Sequence, residues 1–198
     1  MADMLKMQDI LISKTRKFSD KKLKELGLDR IFFINPENSA MIDTESKEEL
    51  RRQISSAHSR GKVIIVMGGD DEINRIAVDD KRVSILLSPE RKRRKDFMHV
   101  RNSGLNHVLC DLASKNDVSI GIDYSDFKKM RGKEAAERLG RIMQNVELCR
   151  KSNSPVILAS FGKTPSSVYD LRAFALSIGM TTDQAKRSLE KAKSIFEK

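Results

Sequence analysis

The sequence predicts an α/β fold built on parallel strands, and two observations carry that expectation. Short apolar runs alternate with segments whose apolar residues recur every three to four positions, the pattern of strands joined by crossover helices. Several of those segments also open on a side-chain cap and close on glycine, as helices do. Strands are expected near 9–12, 30–34, 63–67, 73–78, 83–87, 118–122 and 156–159. Helices are expected near 21–26, 47–59, 104–115, 133–151, 168–176 and 182–197.

Each element has a local reason. Ser19 can cap the first helix and Gly27 can end it. Ser46 with Glu49 forms a capping box for the second, and Gly61 follows it as a stop. The run 73–78 is read as a strand, in which the charged Arg75 must emerge at the strand end or pair internally with Asp70 or Asp71. In the third helix Ser103 is the expected N-cap. Leu105, Val108, Leu109 and Leu112 then fall on one inward face with His107 roughly opposite. The long helix presents Ala135, Leu139, Ile142, Met143 and Val146 as its buried stripe, with Cys149 on the margin and Arg138 and Arg141 turned away. The last helix faces Ala185, Leu189, Ala192 and Phe196 inward and Arg187, Lys191 and Lys198 outward.

This order of elements suits a closed (β/α) barrel and an open doubly wound parallel sheet alike, and periodicity does not separate them. In both, the loops after the strand C-termini gather at one end, where ligand sites lie. The segments 68–74, 88–103, 123–132 and 160–167 are expected to meet there. The stretch 91–101 is polar and long for such a connection, and is expected to be the mobile loop.

A chain of 198 residues supplies one substantial core, so a single domain is expected. No apolar run is long enough to span a bilayer and the N-terminus lacks the pattern of a secretory signal, which points to the cytosol and away from membranes. Cys110 and Cys149 lie on separate expected helices without C-x-x-C spacing, so reduced, packed thiols are expected. The balance of 38 basic against 28 acidic residues leaves +10, which suits a polyanionic partner. Aromatic residues make up 5% and Trp is absent, which argues against base stacking on an aromatic sheet and for contacts to backbone and shape.

The densest signal is the segment 88–112. Arg91, Lys92, Arg93, Arg94, Lys95, Arg101 and Lys115 surround Arg101-Asn102-Ser103-Gly104-Leu105-Asn106-His107, which runs into a helix. Guanidinium groups, amides and an imidazole thus collect at a helix start, an end that already favours anions.

Other constellations are weaker. The histidines are His58, His99 and His107; three are too few to assemble a multinuclear metal centre, so no metal ligands are assigned. His107 has no nucleophile beside it in sequence, and no catalytic residue is assigned. Gly68-Gly69-Asp70-Asp71 reads as a tight turn with acidic caps or as a metal or phosphate loop. Gly162-Lys163-Thr164-Pro165-Ser166-Ser167 lacks Walker spacing, because position 157 is Ile, yet Lys163 beside hydroxyl caps offers a phosphate contact. Arg172 is open to two readings, phosphate contact or pairing with Asp170 or Asp123.

The 88–112 segment resembles the family of ribonuclease P protein component three, the archaeal and eukaryotic branch related in fold to the polymerase-and-histidinol-phosphatase (PHP) phosphoesterases. Gly69-Asp70-Asp71-Glu72-Ile73-Asn74-Arg75-Ile76-Ala77-Val78, Val118-Ser119-Ile120-Gly121-Ile122-Asp123 and Ser166-Ser167-Val168-Tyr169-Asp170-Leu171-Arg172 carry the same resemblance, in the family's order, from about residue 63 to 189. It implies a TIM-type, PHP-like (β/α) barrel with fewer than eight regular strands. It also implies a subunit of the ribonucleoprotein that removes the 5′ leader from precursor tRNA, in which the RNA, with its Mg²⁺, performs hydrolysis. On that reading Arg91, Arg93, Arg94, Lys95, Arg101, Lys163 and Arg172 are the candidate RNA contacts, supported by Asn102, Asn106 and His107. The implied partners are the ribonuclease P RNA, protein component two, the other protein subunits and, through the holoenzyme, precursor tRNA. The face of the helix at 133–151 is a candidate seat for component two.

Overall fold

The computed structural model describes residues 7–12, 18–92, 95–96, 98 and 100–197. Its elements run β1 Gln8–Ile12, α1 Asp20–Leu26, β2 Arg30–Ile34, β3 Ser39–Ile42, α2 Lys47–Ser59, β4 Val63–Met67, α3 Asp71–Asp79, β5 Ile85–Leu87, α4 His107–Asn116, β6 Ser119–Asp123, α5 Tyr124–Phe127, α6 Gly132–Lys151, β7 Val156–Ala159, α7 Val168–Ser177 and α8 Thr182–Phe196. Every named strand pairing is parallel. β3-β4-β5-β6-β7 form one sheet and β1-β2 another. Phe161 N–H donates to the Ile10 carbonyl at 2.8 Å and Ile12 N–H to that of Gly162 at 2.9 Å, so the chain leaving β7 runs alongside β1 and joins the two sheets.

The α/β class holds, and one expected strand is corrected. Residues 73–78 lie in helix α3, because Asp70 caps the backbone N–H groups of Glu72 and Ile73. Ile73, Asn74, Ala77 and Val78 are its buried positions, a helical rather than an alternating set. Arg75 is accordingly an exposed helical residue. The four-residue β3 and α5 were not expected; both are too short to show a period. Ser19, Ser46 and Gly27 cap and close helices as expected, with Gly27 left-handed at φ 68°.

Strand side chains separate onto two faces. Ile10, Phe32, Ile34, Ile65, Ile85, Leu87, Ile157, Ala159 and Phe161 form one cluster, closed by Ala192 and Ile195 of α8. Ile64, Val66, Leu86, Ile120, Ile122 and Leu158 face the other way and pack on the helices. Gly121 on β6 belongs to the first face, where a Cβ would stand 2.8 Å from side-chain atoms of Ile85 and Leu87. Cys110 and Cys149 are buried free cysteines whose thiols contact each other between α4 and α6.

Asp9 on β1 is fully buried and holds the junction of the two sheets. Its carboxylate accepts from Ser160 N–H and Ser160 Oγ, both at 2.7 Å, and from Ser166 N–H at 3.1 Å. Burial raises its pKa and these hydrogen bonds oppose the rise.

Candidate nucleic-acid interface

The basic segment after β5 is held from both sides. Asn74 of α3, fully buried, accepts from Gly69 N–H at 3.0 Å and donates to the carbonyls of Pro89 at 3.1 Å and Gly104 at 3.0 Å. Two loops close on that one amide, the second at both of its ends. Gly68 and Gly104 let them approach: a Cβ on Gly68 would stand 2.6 Å from Pro89 Cα, and one on Gly104, at φ 80°, would collide with the Pro89 carbonyl oxygen.

Helix α6 supplies the second anchor. Arg138 Nε lies 2.7 Å from Glu90 Oε1, and Asn145 Nδ2 donates to Glu90 Oε2 at 3.3 Å and to the Ser103 carbonyl at 3.1 Å. Arg141 Nη2 reaches Asp96 Oδ1 at 3.1 Å, and Gln144 Nε2 donates to the Arg101 carbonyl and Ser103 Oγ at 3.0 Å each. Asp96 also accepts from Asn102 N–H at 2.9 Å. That bond, ahead of the Arg141 guanidinium, holds its carboxyl below the ordinary carboxylate range. Arg138 and Arg141 therefore point inward, correcting the outward placement: their spacing along α6 matches the polar loop that covers the helix. Met143, expected inward, is 42% exposed. Within 91–101 α6 holds Asp96 and Arg101, while Met98 and Val100 are exposed.

The loops after the strands meet as expected. Gly68 lies against Pro89, Arg138 Nη2 stands 3.8 Å from Asp126 Oδ2, and Ser125 N–H donates to the Ser160 carbonyl at 3.1 Å. The candidate contacts divide among these loops. Arg91 forms a two-pronged pair with Asp43, at 2.6 and 2.9 Å, which depresses the Asp43 pKa. Lys92 pairs with Glu45 at 2.7 Å. Arg93, Arg94 and His99 lie outside the described residues. Lys95 is exposed and, with Arg91 and Lys133, lines a cleft of about 500 Å³.

Arg101, Asn102 and Asn106 share a second cleft, of about 460 Å³, with Arg75. The N-cap of α4 is Asn106, whose Oδ1 accepts from Leu109 N–H at 2.9 Å, and not Ser103, which is buried. The helix starts three residues late, so its buried face is Leu109, Cys110 and Ala113, and Val108 is exposed beside His107. Lys163 follows β7 and Arg172 lies on α7; both are exposed and line neither cleft. Among the described residues no ion pair joins Arg172 to Asp170 or Asp123.

The residues that sequence reading missed are the supports Asn74, Gln144 and Asn145, together with Asp9. The apolar stripe of the long helix passes over Gln144 and Asn145, and the run 73–78 reads as a strand, so their role leaves no periodic signal. Helix and strand registers were needed to see it.

A PHP-type metal centre does not fit the strand ends. Ile34, Met67 and Leu87 belong to the interior apolar cluster there, and Asp123 brings a single carboxylate, in register with Ala159. Among the described residues no group of three or more metal-ligating side chains converges.

The profile of the family described as RNase P subunit p30 matches residues 39–198. Ribonuclease P protein component 3 of Methanocaldococcus jannaschii is 32% identical over 157 residues, covering 78% of this chain and 64% of that protein. The protein of the same name from Methanosarcina mazei is 34% identical over 151 residues, covering 73% of this chain and 59% of that one. The chain thus spans about six tenths of the length of the curated relatives it matches. A chain in a cryo-EM structure of archaeal ribonuclease P with mature tRNA superposes with a TM-score of 0.73 at 25% identity, over 96% of this chain and 90% of that one. With most of its length matched by the family profile, and a cationic loop seated on a built framework, the chain belongs to the RNase P subunit p30 family.

Proposed function

We propose that this chain is a protein subunit of ribonuclease P that binds and stabilises the catalytic RNA during removal of the 5′ leader from precursor tRNA. The observation that carries the reading is the anchoring of the segment after β5: Asn74, Arg138, Arg141 and Asn145 tie Pro89, Glu90, Asp96, Ser103 and Gly104 to the framework at the strand-end face. A cationic surface built on such anchors neutralises phosphate repulsion, and each anchored residue lowers the ordering cost at binding. Arg91, Lys95, Arg101, Lys163 and Arg172 are its proposed contacts within the described residues, with Asn102, Asn106 and His107 beside them. Arg93 and Arg94 extend the list by sequence. Hydrolysis belongs to the RNA and its Mg²⁺, and the polypeptide contributes no metal ligands. Reconstitution tests this: adding the chain to cognate ribonuclease P RNA and the other protein subunits at limiting Mg²⁺ should raise precursor-tRNA cleavage. Unchanged cleavage would remove the reading.

The partners proposed are the RNA, component two, the remaining protein subunits and precursor tRNA through the assembly. No helix among the described residues is long and apolar enough to cross a membrane. For component two, the outer face of α6 is the surface to probe, since Ala136 and Met143 are exposed there. A pull-down that survives Glu at both positions excludes it.

We further infer one domain whose strands curl into a PHP-like barrel of seven strands. One apolar cluster drawing on β1, β2, β4, β5 and β7 supports that reading. A single cooperative unfolding transition is the result expected.

A further inference from the structure

Gly140 stands in the middle of α6, where glycine weakens a helix relative to alanine. Arg101 supplies a reason for it. A Cβ on Gly140 would stand 2.6 Å from both Cζ and Nε of Arg101, so the guanidinium occupies space that any other residue type would fill. Its approach to Asp96 is 3.8 Å, too long for a hydrogen bond, and 47% of the Arg101 side chain remains exposed. Arg101 thus offers a planar cation backed by helix backbone and open to solvent.

Arg101 borders a cleft of about 620 Å³ that Gly140 lines with it, as well as the 460 Å³ cleft between the starts of α3 and α4, a volume within the range of small-ligand sites. Leu105 and Leu109 line the 460 Å³ cleft and are each 7% exposed, which gives it an apolar floor. Asn106 and Gln144 place amides on its walls, and Asp71 and Glu72 add carboxylates, the latter paired with Lys47. A carboxylate repels phosphate but accepts the N–H groups on the edge of a nucleobase. An apolar floor beside a guanidinium plane suits the face of that base. Arg75, exposed on the same cleft, is available for the attached phosphate.

We propose that this cleft takes one unpaired nucleotide of RNA, its base stacked on the Arg101 guanidinium that Gly140 seats. The inference rests on the reading of the chain as an RNA-binding subunit, and it gives Arg101 a task different from the phosphate contacts around it. Stacking on guanidinium selects splayed bases in loops and bulges, which a purely electrostatic surface does not do.

Two RNA hairpins with the same stem, one carrying a single bulged adenosine, test the inference by fluorescence anisotropy over a series of salt concentrations. The unsubstituted protein should bind the bulged hairpin about ten-fold more tightly, the scale of one stacked base. Gly140→Ala favours the helix while placing a methyl group where the guanidinium lies. The variant should unfold at no lower temperature, keep its charge and lose the preference. Arg101→Lys keeps the charge, removes the plane and should lose the preference as well. Equal binding of both hairpins by the unsubstituted protein, or a preference that survives in either variant, overturns the nucleotide site and leaves the RNA-binding reading standing. Binding of neither hairpin, even at low salt, overturns that reading and the site with it.

Discussion

Arg138 and Glu90, 48 residues apart in the chain, meet through a 2.7 Å contact with their side chains 8% and 2% exposed. The pair ties α6 to the turn that follows β5, and Asn145 completes it on the other carboxylate oxygen. Removing one member of such a pair strands the other charge in the interior, at a cost of about 3–5 kcal/mol. Arg138→Met should therefore lower stability by that order in urea denaturation. The double variant Arg138→Met with Glu90→Gln should recover part of the loss, because no buried charge is then left alone. A double variant as unstable as the sum of its single changes would show that the pair is not coupled in this way.

Asn74 is the second anchor to test. Its amide serves three backbone groups from two loops, and replacing it with alanine leaves two carbonyls and one N–H without their partner. The loss expected is about 3 kcal/mol, from buried groups at 1–3 kcal/mol each with partial relaxation. Asn74→Asp should be no better, since a carboxylate cannot donate to Pro89 and Gly104. Either variant unfolding at the same urea concentration as the unsubstituted protein would contradict this bridging role.

Charge contacts can be counted through salt. If Arg91 neutralises an RNA phosphate, Arg91→Ala should weaken binding and reduce the slope of log affinity against log salt by roughly 0.7–0.9. Asp43 competes for that guanidinium in the free protein. Asp43→Asn should therefore tighten RNA binding at low salt, and weaker binding by this variant would mean that the pair positions Arg91 instead of masking it.

Asp123 carries the pH prediction. Burial pushes its carboxyl up from the ordinary value of 3.8 to about 6, against a hydrogen bond from Asp126 N–H that favours the charged form. The folded state thus holds the proton more tightly than the unfolded chain. Stability is lost as pH rises from about 4 to about 6, and the loss persists above. Asp123→Asn keeps the acceptor for Asp126 and removes the charge. It should be more stable than the unsubstituted protein at pH 7 by an amount on the order of 2 kcal/mol, and about equal to it at pH 4. Thermal melts at the two pH values decide the matter; a constant difference would place the titration elsewhere.

Much of this was legible before any coordinates. The strands at Arg30–Ile34, Val63–Met67 and Val156–Ala159 and the helix Lys47–Ser59 stand where their residues put them, because apolar runs and caps act within a few residues. The basic segment and its place after a strand were equally visible. The run 73–78 was misread because six residues rich in Ile and Val fit a strand and a buried helix alike; the deciding group was the cap at Asp70, outside the run.

Sequence by itself determined the alternation of strand and helix, the excess of positive charge and the family resemblance, all properties of residues near one another in the chain. Tertiary structure decided which charges are used up. Arg138 and Arg141 read as a solvated helix face until the loop laid over them supplied Glu90 and Asp96. Arg91 reads as an RNA contact in the sequence, and only the fold shows Asp43 paired with it. The physical reason is range: propensity and capping act across one turn, whereas pairing and desolvation depend on groups 45 to 48 residues apart that only the completed fold brings within 3.1 Å.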